Sequence, residues 1–316
     1  MKKAALIGLL LSFCLFIASG CSSNPQSEAP QKGYEVKDSQ GYVVEIPHKP
    51  SRIISLSLGT DEILVDLVPA DRILALTYLA DDPAISNVTE QAKAIPGKVR
   101  ANPEAIIALQ PDVLFIADWQ PAELIQTIRE AGIPVYVYKT PGTIEEVKHV
   151  IGEIARVVGE EQAGKKIIEK MDKQLEMVQK TVEKVNPEER KTVVLFSLMG
   201  GIGGKGSLFD DICRYAGVVN GASKVGIGKD ETMSKEQIVA AGPDLFIMPM
   251  WNYNGKKDVE QFENEVEADP AFRSLTAIKN HQLLKIPDRH LVSSSQYIVQ
   301  GVVDVANAAY PQYSKP

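Results

Sequence analysis

The chain carries four histidines, His48, His149, His281 and His290. No two of them stand at the i, i+4 or similar spacing that a protein metal site uses. His290, in IPDRHLVSSSQ, follows an expected strand and is a candidate axial donor to a metal brought in by a ligand. A hydrogen-bonded loop histidine is the plainer reading of it. MGGIGGKGS contains G-x-G-x-x-G at Gly201, Gly203 and Gly206. A dinucleotide fingerprint needs an acidic residue about 20 positions on, and none stands there. The phosphate-loop pattern fails too, because Gly206 follows Lys205 where Ser or Thr is required. The run reads instead as a loop whose bare backbone admits a bulky, flat ligand. No G-x-S-x-G is present, and SSSQ at 293–296 reads as a helix start with serine capping. The chemistry on offer is recognition, not turnover.

The best candidates for recognition are the only two tryptophans. EAIIALQPDVLFIADW (104–119) and EQIVAAGPDLFIMPMW (236–251) match at six of sixteen positions without a gap, 132 residues apart. Asn102 and Ser234 are good N-caps, each followed after one residue by Glu, and Pro103 suits the first helical position. Each copy therefore reads as a short helix, a Pro-Asp turn and a strand, with Trp119 or Trp251 at or just past the strand's C-terminal end. In open α/β sheets that edge is where ligands bind. Two such edges facing each other place the two tryptophans on opposite walls of one cleft.

The elements that would hold them alternate. RIISLSL (52–58), RILALT (72–77), VLFIA (113–117), IPVYVY (133–138) and TVVLFSL (192–198) read as strands with helical patterns between. Several are apolar without alternation, as parallel strands covered on both faces are. From Thr143 to about Val185 there is no strand. Ile144, Val147, Ile151, Ile154 and Val158 form one stripe, Gly159 interrupts, and Met171, Leu175, Val178, Val182 and Val185 form another. This predicts a long amphipathic helix of some 25 residues after the break, ended by Asn186-Pro187. The expected architecture is α/β: two lobes with parallel sheets joined by a single long helix. The divisions are 34–142 for the first lobe, 143–188 for the linker helix region and 189–316 for the second lobe.

The first 20 residues have the layout of a secretory signal: two lysines, an apolar run and small residues. Ala18-Ser19-Gly20-Cys21 resembles the bacterial lipoprotein cleavage box, with Ala18 where Leu is usual. Cys21 is then the lipidated residue and 21–33 a polar tether. Cys213 is the single cysteine beyond Cys21, which excludes a disulfide framework. The net charge of −7 argues against nucleic acid as a partner.

PHKPSRIISLSLGTDEILVDLV, NPEAIIALQPDVLFIADW, the long helix, SKEQIVAAGPDLFIM and IPDRHLVSSSQYIVQGVVDVA succeed one another over residues 43–310. In this order and spacing they resemble the substrate-binding lipoproteins of ABC importers for metal chelates: ferric siderophores, haem or corrinoids. The resemblance implies a class III periplasmic-binding-protein fold, in which ligand sits between two lobes bridged by one rigid helix. It implies no enzymatic activity and no intrinsic cofactor, the ligand being a metal chelate. The partners it implies are an ABC permease with its ATPase subunits, and the membrane through the lipid anchor; the chain itself is expected to be a monomer. Glu104 and Glu236 would dock on permease arginines, one from each lobe. On the first lobe the cleft candidates are Ser57, Leu58, Gly59, Thr60, Tyr78, Arg100 and Trp119. On the second they are Gly203, Lys205, Met250, Trp251, Tyr253, Arg289 and His290. Aromatic walls suit a large ligand with flat or apolar faces. Few cations stand among the candidates, which leaves corrinoid and ferric siderophore level and haem third. An unchelated metal ion or other small solute is the alternative, and a hydrolase outside the cytoplasm is the alternative from another class.

Overall fold

The computed structural model describes residues 33–252, 255 and 258–313. The signal segment, Cys21 and the tether up to Lys32 lie outside the described residues, as does Tyr253.

The described chain opens with an antiparallel hairpin, β1 (Tyr34–Lys37) and β2 (Val43–Ile46). The first sheet follows: β3 (Ile53–Ser55), β4 (Ile73–Thr77), β5 (Lys98–Val99), β6 (Val113–Ala117) and β7 (Val135–Tyr138). Its spatial order is β5-β4-β3-β6-β7, and every pairing is parallel. The chain thus runs outward from β3 to β5 and returns to the other side of β3, which makes the β3/β6 gap a switch point where a crevice opens. The second sheet contains β8 (Thr192–Ser197), β9 (Gly200–Ile202), β10 (Val219–Asn220), β11 (Leu245–Met248) and β12 (Leu283–Lys285). Its order is β10-β8-β11-β12, all parallel, with β9 turned back antiparallel on β8.

All five residues of β6 are buried, because both faces of its sheet are covered. Phe115 and Ala117 face one apolar cluster and Leu114 and Ile116 another. The helices used below are α1 (Leu58–Leu67), α2 (Pro103–Ala108), α3 (Ile144–Val157), α4 (Glu161–Val182), α5 (Leu208–Ala216), α6 (Lys235–Ala241), α7 (Asp288–Leu291) and α8 (Ile298–Ala309). The expected break at Gly159 is the end of α3. Gly159 takes φ +69°, a left-handed conformation that stops a helix at little cost only for glycine. Helix α4 has 22 residues, about 33 Å at ~1.5 Å per residue. It packs on α1 and α3 from the first half and on α5 and α8 from the second. Met171, Leu175 and Val178 are its buried stripe. They belong to one apolar cluster that also contains Ile53 of the first sheet and Val193 of the second, so a single core runs through the spine.

The repeated unit is built alike in both halves. Asn102 Oδ1 accepts from Ala105 N at 2.7 Å, and Ser234 forms a full capping box with Gln237. At the aligned turn position Gln110 (φ 48°) and Gly242 (φ 63°) are both left-handed. The Asp of each Pro-Asp then ties down the neighbouring strand. Asp112 Oδ2 accepts from Ser51 N and Arg52 N at 2.9 and 3.0 Å beside β3, and Asp244 Oδ2 accepts from Thr192 N at 2.8 Å on β8.

Candidate ligand-binding cleft

The C-terminal ends of the first sheet's strands converge on a cavity of about 510 Å³. Leu56, Ser57, Leu58 and Gly59 come from the β3–α1 turn, Tyr78 from the end of β4, and Arg100 from beyond β5. Trp119 and Gln120 follow β6, and Tyr138 and Thr140 lie at and beyond the end of β7. Val292, Ser293 and Ser294, between α7 and α8, close the back. The Arg100 guanidinium lies 3.5 Å from the centroid of the Tyr78 ring, a cation–π stack. No ion pair engages that guanidinium among the described residues. Trp119 is 65% exposed, which for a tryptophan leaves a large apolar face in water unless a ligand covers it. It also lines an adjoining space of about 880 Å³ with Lys139, Thr143, Gly206, Ser207 and Lys229, so cleft wall from both halves meets around it.

Ser57 caps α1: its Oγ accepts from Thr60 N at 3.2 Å and is hydrogen-bonded to Tyr138 Oη at 2.5 Å. That contact orients the Tyr138 ring against the cavity. Burial pushes the Tyr138 phenol well above its ordinary range, so it stays neutral.

Six of the sequence candidates are thus brought together: Ser57, Leu58, Gly59, Tyr78, Arg100 and Trp119. The other described candidates are not in the wall of this cavity. Thr60 is fully buried and its hydroxyl donates to Ser57 O at 3.0 Å. Gly203 is left-handed (φ +80°), and its missing Cβ makes room for the Phe209 ring, not for a ligand. Lys205 forms an isolated bridge with Gly228, and its side chain is exposed. Of the glycine run, Gly206 is the one that reaches the cleft.

Met250 and Trp251 present their backbone N–H groups to Asp288 Oδ2, both at 2.7 Å. The Trp251 indole Nε1 donates across to Asp82 Oδ2 at 3.3 Å, so it bridges the halves where Trp119 stands open. Arg289 also bridges, donating to Pro83 O at 2.8 Å. His290 Nδ1 is 2.6 Å from Asp304 Oδ2 on α8, and the ring is not part of the wall of this cavity. Glu62, Thr77, Leu79, Tyr138, Ser293 and Ser294 were not among the candidates. Of these only Tyr138, the aromatic that ends an expected strand, carried a sequence signal.

Glu104 and Glu236 are both exposed in the first turns of α2 and α6. Each helix runs back along its sheet before a tight turn into β6 or β11. Its N-terminus therefore lies at the strand's C-terminal end, on the cleft side of the molecule. Neither carboxylate forms an ion pair among the described residues.

Comparison with known proteins places this geometry. The chain is 24% identical to the uncharacterized ABC transporter substrate-binding lipoprotein YvrC of Bacillus subtilis (strain 168), over 100% of both chains. It is 25% identical to the iron-uptake system-binding protein of the same organism, over 95% of this chain and 94% of that one. The solved structure of the periplasmic heme-binding protein RhuT from Roseiflexus sp. RS-1, in apo form, matches with a TM-score of 0.69 and 20% identity, over 84% of this chain and 99% of that chain. That likeness speaks to fold alone. A family model described as periplasmic binding protein matches residues 53–290. With three quarters of its length in that match, the chain belongs to the periplasmic binding protein family.

Proposed function

We propose that this chain is the solute-binding lipoprotein of an ABC importer and works outside the cytoplasm, anchored through a lipid on Cys21. Its solute is a metal chelate whose metal is already saturated by its own ligand, a ferric siderophore or a corrinoid ahead of haem. The observation that carries this reading is the cavity wall: Tyr78, Trp119 and aliphatic side chains with one guanidinium, in place of a set of imidazoles and carboxylates. Such a wall recognises a bulky, flat or apolar body and at most a few negative charges. The four donors on Glu62, described below, leave that carboxylate no free role as a metal ligand. His290 is absent from the cavity wall, and Tyr78 is the haem-donor candidate that lines it. Loaded protein then docks on the permease through Glu104 and Glu236, and ATP hydrolysis by a separate subunit drives release.

Trp119→Ala is expected to weaken binding of the chelate by about 30-fold, close to ~2 kcal/mol, as loss of an aromatic anchor does. Arg100→Ala is expected to cost about tenfold for an anionic chelate and little for a neutral one. Both are read by titration of the folded variants. Unchanged affinity in both would remove this cavity as the binding site.

A further inference from the structure

Glu62, on α1, is 1% exposed, yet it lines the cavity. A buried carboxylate must be given donors or lose its charge. Here it receives four, from two distant parts of the chain. Oε1 accepts from Asn87 N and Asn87 Nδ2, both at 2.9 Å. Oε2 accepts from Ser293 Oγ at 2.8 Å and Ser295 Oγ at 2.5 Å. The serines belong to the strap between α7 and α8, which follows the second sheet's last strand in the chain. Gln296 extends the same contact, its Nε2 donating to Glu62 O at 2.7 Å and to Asp66 Oδ2 at 2.8 Å. Asn87 links the set to α7 through Arg289 O at 2.8 Å. A Cβ on Gly59 would strike Ser294 Oγ, so α1 and the strap approach as closely as a glycine allows. Ser295 Oγ also accepts from Tyr297 N at 3.2 Å, so the serine at the entry to α8 serves the helix start and Glu62 together.

Val292, Ser293 and Ser294 are the second half's contribution to the cavity wall. From this juxtaposition we infer that Glu62 is a positioning residue: it holds the 292–296 strap on α1 and thereby fixes the back of the cavity and the seating of one half on the other. The inference deepens the reading of this cavity as the ligand site and rests on it only for its consequence on affinity. Burial raises the Glu62 carboxyl above its ordinary range, against the pull of its four donors.

The test is amide hydrogen exchange on the full chain in detergent, without ligand. In Glu62→Ala, amides of residues 288–297 are expected to exchange at least about tenfold faster, while β3 and β8 keep their protection. The pair Ser293→Ala with Ser295→Ala is expected to do the same. The three substitutions together are expected to add nothing further, because all remove one shared contact. Unchanged strap exchange in folded Glu62→Ala, or effects that add, would overturn the inference. If Glu62→Ala does not fold, the serine pair alone decides by the same criterion. Chelate titration of the same variants separates the two readings. A loosened strap with tenfold weaker binding supports the positioning role. A loosened strap with unchanged affinity overturns that role and leaves the cavity standing. If the wild type binds no chelate, the ligand reading falls, and strap exchange still decides whether Glu62 holds the strap.

Discussion

Replacing Glu104 and Glu236 together by alanine is expected to reduce transport more than about 100-fold while chelate affinity stays within a factor of two. The two carboxylates occupy one position in a unit the chain builds twice, down to the N-cap, the left-handed turn residue and the aspartate that ties the neighbouring strand. A glutamate in a first helical turn complements the helix dipole, worth about 0.3–1 kcal/mol. That explains either residue by itself. It does not explain why both stand exposed beside a cleft edge, one from each half, with no ion pair among the described residues. Paired with permease cations at a desolvated contact, each would contribute about 1.5–7 kcal/mol. Each single variant should therefore retain partial transport and the pair almost none, measured by uptake of labelled chelate into cells. Lost chelate binding in the double variant would mean that these are structural residues of the cleft.

A second large effect is expected on stability. The melting temperature should fall as pH rises from about 4 to past 7, and Asp61→Asn should remove most of that slope. Asp61 is 0% exposed on α1 and accepts from Thr77 N at 3.1 Å and from the Thr77 hydroxyl. Burial pushes its carboxyl up to about 7, more than those hydrogen bonds pull it down. The unfolded chain loses this proton near pH 3.9, whereas the folded chain holds it to about 7. Folding therefore takes up a proton between these values. The stabilisation is full below about pH 4 and is lost as pH rises through 7, on the order of 4 kcal/mol in all. Glu62 is raised by burial as well and has the same sign. Above pH 7 the Asn variant should melt higher than the wild type, and near pH 4 the two should converge. Parallel melting curves from pH 4 to 8 would show that Asp61 is ionised throughout.

The layered α/β fold was legible because its signals are local. VLFIA is apolar throughout because both faces of its sheet are covered, and the helical stripe breaks at Gly159 because the chain turns left-handed there. The hairpin β1–β2 carries a local signal too, with Val36, Val44 and Ile46 buried between exposed neighbours, but in strands of only four residues each. The cleft was half legible. Residues that follow first-sheet strands reach it because strand ends share one sheet edge. The rest depended on partners far along the chain. Gly203 faces Phe209, His290 faces Asp304, and the strap meets Glu62 across 231 residues. The two tryptophans are equivalent in sequence but not in space, since Trp251 finds Asp82 of the other half and Trp119 does not.

The most direct measurement is a titration of the full chain in detergent with cyanocobalamin, haemin and a panel of ferric siderophores, following tryptophan fluorescence. Trp119, open at the cavity, should be quenched by one saturated chelate at micromolar concentration or below, and the Trp119→Ala variant should lose most of that signal. A folded protein that answers to none of the chelates would contradict a chelate-binding cleft and turn attention to unchelated metal ions and other small solutes.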